Sequence, residues 1–135
     1  MRLAVPLRSR GGMTMQRQQL GFLGENLAVA ELTRRGYAIL DRRYRTRRGE
    51  IDIVADDGGT IVFVEVKARA TGDFGGGAEA VTPSKQRRLV SMAIDYLARR
   101  GLTDRPCRFD VIAIDDVDGA SPVITVYCSA FDASR

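Results

Sequence analysis

Residues 50–68 read EIDIVADDGGTIVFVEVKA, and this stretch decides the fold. Its second half, Thr60–Ala68, carries the run Ile61-Val62-Phe63-Val64 and then Glu65-Val66-Lys67. A β-branched, uninterrupted apolar run of this kind is a strand covered on both faces, and hence a central one. The first half, Glu50–Asp56, alternates, which puts Ile51, Ile53 and Ala55 on one side. Asp57-Gly58-Gly59 between the two halves is a turn, so together they make a hairpin. Two registers are open. A Gly58-Gly59 loop pairs Asp57 with Thr60 and, stepping back, sets Asp52 opposite Glu65. An Asp57-Gly58 loop sets Glu50 opposite Glu65. Both dipeptides are favoured hairpin turns; the first is preferred, and it also pairs Glu50 with Lys67.

In either register two carboxylates meet on one face, and like charges directly opposite each other destabilise a sheet. A divalent cation bound to carboxylate oxygens would remove that penalty. Glu65 sits in the most apolar strand of the chain, where an ionised carboxylate is rarely left without a partner. Lys67 lies on the same face, roughly 7 Å along the strand. The competing reading is a surface ion pair between Glu65 and Lys67 on an exposed strand edge.

Working outward, Gln16–Arg35 has helical periodicity, with Leu20, Leu23, Leu27 and Ala30 on one face and Gly36 as the stop. Tyr37–Tyr44 reads as a first strand and Arg45–Gly49 as a basic turn. Beyond the hairpin, Arg69–Val81 is a loop whose Gly75-Gly76-Gly77 suits a flexible flap. Thr82 then caps a second helix with Pro83 in its first position. That helix runs to about Arg100, buries Leu89, Ala93, Tyr96 and Leu97, and ends at Gly101. Cys107–Ile114 and Val123–Cys128 are strands joined through a turn region, Asp115–Pro122. The fold class is α/β, in the order αβββαββ: one mixed central sheet flanked by helices. Residues 16–131 form a single domain, 1–15 a disordered leader and 132–135 a tail.

Composition narrows the chemistry. The chain has no histidine, which excludes Ser-His and Cys-His catalysis and every histidine metal site. Its two cysteines, Cys107 and Cys128, are too few and too far apart for a zinc site or a disulfide framework, and are read as buried thiols in a reducing compartment. Catalysis would then rest on carboxylates, lysine and a hard cation held by oxygens. No apolar run is long enough for a membrane span, and a cytoplasmic location is expected. The net charge of +4 points to a polyanionic partner. The candidates to grip phosphate are Arg42, Arg43, Arg45, Arg47 and Arg48 around Tyr44, and Lys85, Arg87 and Arg88 in the first turns of the second helix. Cations there oppose the helix dipole, which gives them another purpose. Solvated surface charge is the plainer reading of most of them singly. Glu25, alone on the first helix, reads from composition as surface.

Asp52 followed by Glu65-Val66-Lys67 resembles the Asp…Glu-x-Lys signature of the PD-(D/E)xK nuclease superfamily. A wider set of residues is similar to the bacterial YraN-type family, regarded as endonucleases. It comprises Gly21-x-x-Gly24-Glu25, Gly36-Tyr37, Gly49-Glu50-Ile51-Asp52, Val62–Lys67, Lys85 with Arg88-Leu89, and Arg108-Phe109-Asp110-Val111. The resemblance covers about Gln16–Phe131, and archaeal Holliday-junction resolvases are similar in core arrangement. It implies a restriction-endonuclease-like fold and a metal-dependent endonuclease acting on nucleic acid, DNA foremost. The sequence itself shows no base-reading element, so structure-selective or nonspecific recognition is expected. The resemblance also implies that Asp52, Glu65 and the Val66 carbonyl hold Mg²⁺ or Mn²⁺. Glu25 is thereby promoted to the site, directly or through water, and Lys67 acts on the attacking water or the developing charge. Two rivals stand: a nucleic-acid-binding or adaptor domain that keeps the fold without turnover, and a structural protein such as a homodimer joined through an edge strand.

Overall fold

The structure, a computed structural model, describes residues 9–70 and 81–131, with side chains from Gln18 onward. Helix α1 spans Ser9–Arg34 and strands β1, β2 and β3 span Ala38–Thr46, Gly49–Asp57 and Thr60–Ala68. Helix α2, Pro83–Arg99, leads to β4, Cys107–Asp115, and β5, Val123–Phe131. The five strands lie in chain order. Strands β1, β2 and β3 form an antiparallel meander, α2 carries the chain across to a parallel β4, and β5 returns antiparallel. The expected αβββαββ order and mixed sheet are what the chain forms, with β3 at its centre.

Each face of the sheet buries one helix. On one, Ala28 and Leu32 of α1 pack on Val62, Val64, Ile112 and Ile114. On the other, Leu89, Met92, Ala93 and Tyr96 of α2 pack on Ile61, Phe63, Phe109 and Val111. Tyr96 anchors the second layer edge-on to Phe63 and to Tyr44, with ring centroids 5.8 and 4.9 Å apart. Gly24 lets α1 sit close on β3: a Cβ there would come within 2.6 Å of the Ala68 Cβ. Thr82 caps α2 as expected, its hydroxyl accepting the Lys85 N–H at 3.2 Å.

Several expectations need correction. Helix α1 begins at Ser9, inside the expected leader, because a nucleated helix extends at one hydrogen bond per residue and Met13–Gln16 favour it. Residues 1–8, residues 71–80 with the expected glycine flap, and residues 132–135 lie outside the described residues. Leu23 and Ala30 are exposed, and the buried stripe of α1 is Gly24, Glu25, Ala28 and Leu32. The basic turn shrinks to Arg47–Arg48, since Thr46 Oγ1 accepts the Arg48 N–H and Gly49 takes a φ of +137°. Strand β5 runs on to Phe131, which stacks on Phe109 at 4.8 Å. Both cysteines are exposed, one at the first residue of β4 and one on the edge strand β5.

The correction that matters most is on β2. Ile53 and Ala55 face α1, but Ile51 faces α2. The strand changes face at Asp52. Its neighbour β1 changes with it: Arg43 takes a φ of +55°, Arg42 and Arg43 both reach α1, and Tyr44 packs against α2. Side chains alternate only along regular strand, so this paired irregularity aims Asp52 out of the core pattern.

Candidate active site

The expected hairpin register forms: Asp57 pairs with Thr60 and the ladder continues to Ile53 with Val64. There it stops. Strand β2 stays paired with β1 to Gly49, and β3 stays paired with β4 to Ala68. The sheet is therefore forked beyond Ile53 and Val64. Continuing the register would bring Ile51 opposite Val66. Instead the Val66 N–H donates to Asp52 Oδ2 at 2.8 Å, so the carboxylate takes the place of a strand carbonyl.

The fork opens into a cleft of about 860 Å³ lined by Glu25, Arg43, Glu50, Asp52, Val66 and Lys67 among others. Burial together with the negative charge of Glu65 pushes the Asp52 carboxyl up to about 7, against the Val66 hydrogen bond, which lowers it. Glu65 is 7% exposed. Its Oε2 accepts a 2.5 Å hydrogen bond from Lys85 Nζ and lies 3.6 Å from Lys67 Nζ. Its Oε1 has no partner among the described residues. Burial and the neighbouring ammonium of Lys85 lower the pKa of Lys67. Burial acts the same way on Lys85 and is the largest single influence, but the hydrogen bond and charge of Glu65, together with the Asp52 charge, outweigh it and raise the pKa. The Glu65–Lys67 pair is thus partly buried inside the fork, and the exposed-edge reading fails.

Not every candidate joins this group. Glu25 is 6% exposed and lines the same cleft, but Arg42 Nε donates to its Oε2 at 2.8 Å and Arg43 Nε to its Oε1 at 2.6 Å. Both oxygens are engaged by arginines, so of its two expected roles, direct or through water, neither is seen in this arrangement. Arg42 and Arg43 are likewise committed to α1, with Arg42 also reaching Asn26 and Arg43 lying over the Phe22 ring. Glu50 pairs with Arg45 at 3.2 Å rather than with Lys67. Among the described residues no three His, Cys, Asp or Glu side chains are grouped so as to hold an ion. Arg88 lies on the exposed side of α2 beside the β1–β2 turn, near Gly49.

Lys85, expected as a phosphate contact, is found paired with Glu65, a partner that sequence reasoning did not foresee. Its signal was present: a cation in the first turn of a helix, against the dipole. Asp110, in the Arg108–Val111 motif, belongs elsewhere. It is 1% exposed and holds the β4–β5 irregularity together, accepting the Ser129 N–H at 2.9 Å and the Arg108 Nε at 3.1 Å.

Comparison with known proteins gives one consistent answer. The profile described as "Uncharacterised protein family UPF0102" matches residues 24–114, which include every acidic and lysine residue of the cleft. A UPF0102 protein of Anaeromyxobacter dehalogenans is 48% identical over 122 residues, 90% of each chain. One of Geobacter sulfurreducens is 50% identical over 113 residues, 84% of this chain and 88% of the relative. One of Moorella thermoacetica is 50% identical over 102 residues, 76% and 85%.

Proposed function

As the chain belongs to the UPF0102 family, we propose one activity for its cleft: metal-dependent hydrolysis of nucleic-acid phosphodiesters, DNA foremost, by an endonuclease of the restriction-endonuclease-like class. The observation that carries this reading is the acid pair at the fork. Asp52 and Glu65 are close enough, and dry enough, that Asp52 holds its proton to about pH 7. A hard cation relieves such a pair by replacing the proton.

The donor set suits Mg²⁺ or Mn²⁺. Asp52, Glu65 through its unengaged Oε1 and the Val66 carbonyl would hold the ion, with Glu25 acting by fixing Arg42 and Arg43 beside it. A bound ion supplies an acidified water and offsets charge on the scissile phosphate. Lys67, with its lowered pKa, stands where it can orient the attacking water or stabilise the negative charge that develops on the phosphoryl oxygens. Lys85 keeps Glu65 in place by gripping Oε2. Recognition is of backbone and shape, since the cations of the cleft touch phosphates, which carry no sequence information. No helix of the described residues is long and apolar enough to cross a membrane, and a nucleic-acid substrate goes with a location in the cytoplasm.

A second reading, a nucleic-acid-binding domain without turnover, has one observation in its favour: two ammonium groups already face Glu65, and no three-acid group forms among the described residues. The deciding experiment is cleavage of single-stranded, duplex, flap and junction DNA and of RNA, with and without Mg²⁺ or Mn²⁺. Cleavage that needs the metal and disappears in Asp52→Ala and Glu65→Ala supports the nuclease. Equal activity in both variants contradicts it, and salt-sensitive binding without any cleavage favours the second reading.

A further inference from the structure

We infer that the groove between the β1–β2 turn and the last turn of α2 is a second phosphate-binding site, which holds the backbone of a polynucleotide extending out of the acidic cleft. The inference rests on the reading that the cleft takes nucleic acid, and it adds the direction in which the strand runs and the residues that hold it.

The groove encloses about 660 Å³ and brings together Arg45, Arg47, Arg48, Arg99 and Arg100. Its one acidic lining residue is Asp95, whose carboxylate is already engaged. Oδ2 accepts the Tyr44 hydroxyl at 2.8 Å, and both oxygens accept Arg99 Nε at 3.1 Å. Of the five guanidinium groups, Arg45, Arg99 and Arg100 each have a carboxylate partner, in Glu50, Asp95 and Asp41, and Arg47 and Arg48 add two further positive charges to the groove. Cations in the last turn of a helix meet the dipole favourably and need no ligand, which accounts for Arg99 and Arg100 taken alone. It does not account for Arg47 and Arg48. They come from a different element, make no side-chain hydrogen bond or ion pair among the described residues, and line the same groove as the helix cations, where Arg48 is near enough to Asp95 to act on its charge. Like charges converge in this way at a cost that an entering anion removes.

The groove is also built before any ligand arrives. Arg100 Nη1 is fixed by Asp41 Oδ2 at 2.7 Å, and its guanidinium lies 4.8 Å over the Tyr96 ring, a buried residue of the core. A guanidinium fixed in advance loses little freedom on gripping a phosphate. Arg45 lines both this groove and the acidic cleft. It joins them into one continuous track around the end of the sheet. The ligand chemistry that matches several separated guanidinium groups along a track is a chain of phosphodiesters. The expected basic stretch thus divides in two: Arg42 and Arg43 fix Glu25, while Arg45, Arg47 and Arg48 face outward to the strand.

The test is the binding of end-labelled single-stranded and duplex DNA in EDTA over a series of salt concentrations. The proteins are the wild type, the double variant Arg47→Ser/Arg48→Ser, and a control, Arg34→Ser/Arg35→Ser, that removes the same charge on α1 far from the groove. Because Arg47 and Arg48 make no side-chain hydrogen bond or ion pair among the described residues, the double variant keeps the wild-type melting temperature. It is expected to bind about tenfold more weakly. Its plot of log K against log salt should flatten by about 0.7 for each phosphate of a single strand that the protein no longer neutralises, and by about 0.9 for each phosphate of a duplex. The control should match the wild type, and a dinucleotide, too short to leave the cleft, should not distinguish any of the three. Equal binding by the double variant, or an equal weakening in the control, overturns the inference. Weakened binding without metal-dependent cleavage by any protein keeps the groove and removes the nuclease. Cleavage with binding unaltered in the double variant keeps the nuclease and removes the groove.

Discussion

Glu25 and Glu65 are both nearly buried, and each faces two cations, yet they are held in opposite ways. Glu25 gives one oxygen to Arg42 and the other to Arg43, at 2.8 and 2.6 Å. Guanidinium groups are planar and remain charged under all ordinary conditions, so this arrangement is saturated and permanent. Glu65 offers a single oxygen to two lysines, at 2.5 and 3.6 Å, and has Asp52 as a repelling neighbour. Among the described residues one oxygen is left over, and both ammonium groups are shifted from their ordinary pKa. The first arrangement ties α1 to β1. The second is unfinished, and an unfinished, nearly buried polar group beside a cleft is where chemistry is to be sought. The number of charges around a buried acid decides little; what counts is how many of its oxygens they consume.

The largest consequence of this difference concerns pH. In metal-free protein the Asp52 carboxyl has a folded pKa of about 7 against an ordinary 3.8. A raised pKa means that the folded state binds the proton more tightly than the unfolded chain does. Its stabilisation is complete below about pH 4 and is lost as the pH climbs through about 7. The expected fall is on the order of a few kcal/mol across that window. Denaturant unfolding at stepped pH in EDTA should show it, and Asp52→Asn should abolish it. A wild-type curve flat between pH 4 and 7 would erase the contrast between the two regions.

A smaller effect separates the two glutamates by stability alone. Glu25→Gln leaves Arg42 and Arg43 without their shared acceptor and should cost about 1–3 kcal/mol. The cost stays moderate because both arginine side chains are about two-fifths exposed. Glu65→Gln relieves Asp52 of a repelling charge but leaves Lys67 and Lys85 without their shared carboxylate, so the two effects offset and the net loss of thermal stability should be smaller than for Glu25→Gln. If the two variants were destabilised equally, Glu65 would be a structural lock of the same kind as Glu25.

The strand pattern of residues 50–68 made the hairpin, its register and the central place of β3 legible. The turn dipeptides have few solutions, and a buried strand cannot slip by one residue without turning its apolar set to the wrong side. Asp52, Glu65 and Lys67 were legible for the same reason. The switch of face between Ile51 and Ile53 was not. It depends on Arg43 adopting a left-handed backbone and on Asp52 replacing a ladder carbonyl, and alternation along one strand carries no trace of either. Glu25 read from its own residues as surface, and only the family resemblance raised it to the site; its pairing with Arg42 and Arg43 spans 17 and 18 residues of chain, which local spacing cannot reveal. The groove between Arg47 and Arg99 joins elements still further apart in sequence.

The central claim is that Asp52 and Glu65 together form a seat for a divalent cation. Calorimetric titration of Mn²⁺ alone into the protein tests it most directly. The experiment is run slightly below pH 7 in two buffers of different ionisation enthalpy, so that proton release is counted with binding. The account predicts that the wild type and Glu25→Gln bind Mn²⁺ and release a proton, and that Asp52→Asn and Glu65→Gln do not bind. Mn²⁺ bound by Asp52→Asn as tightly as by the wild type, or no binding by the wild type, would contradict it.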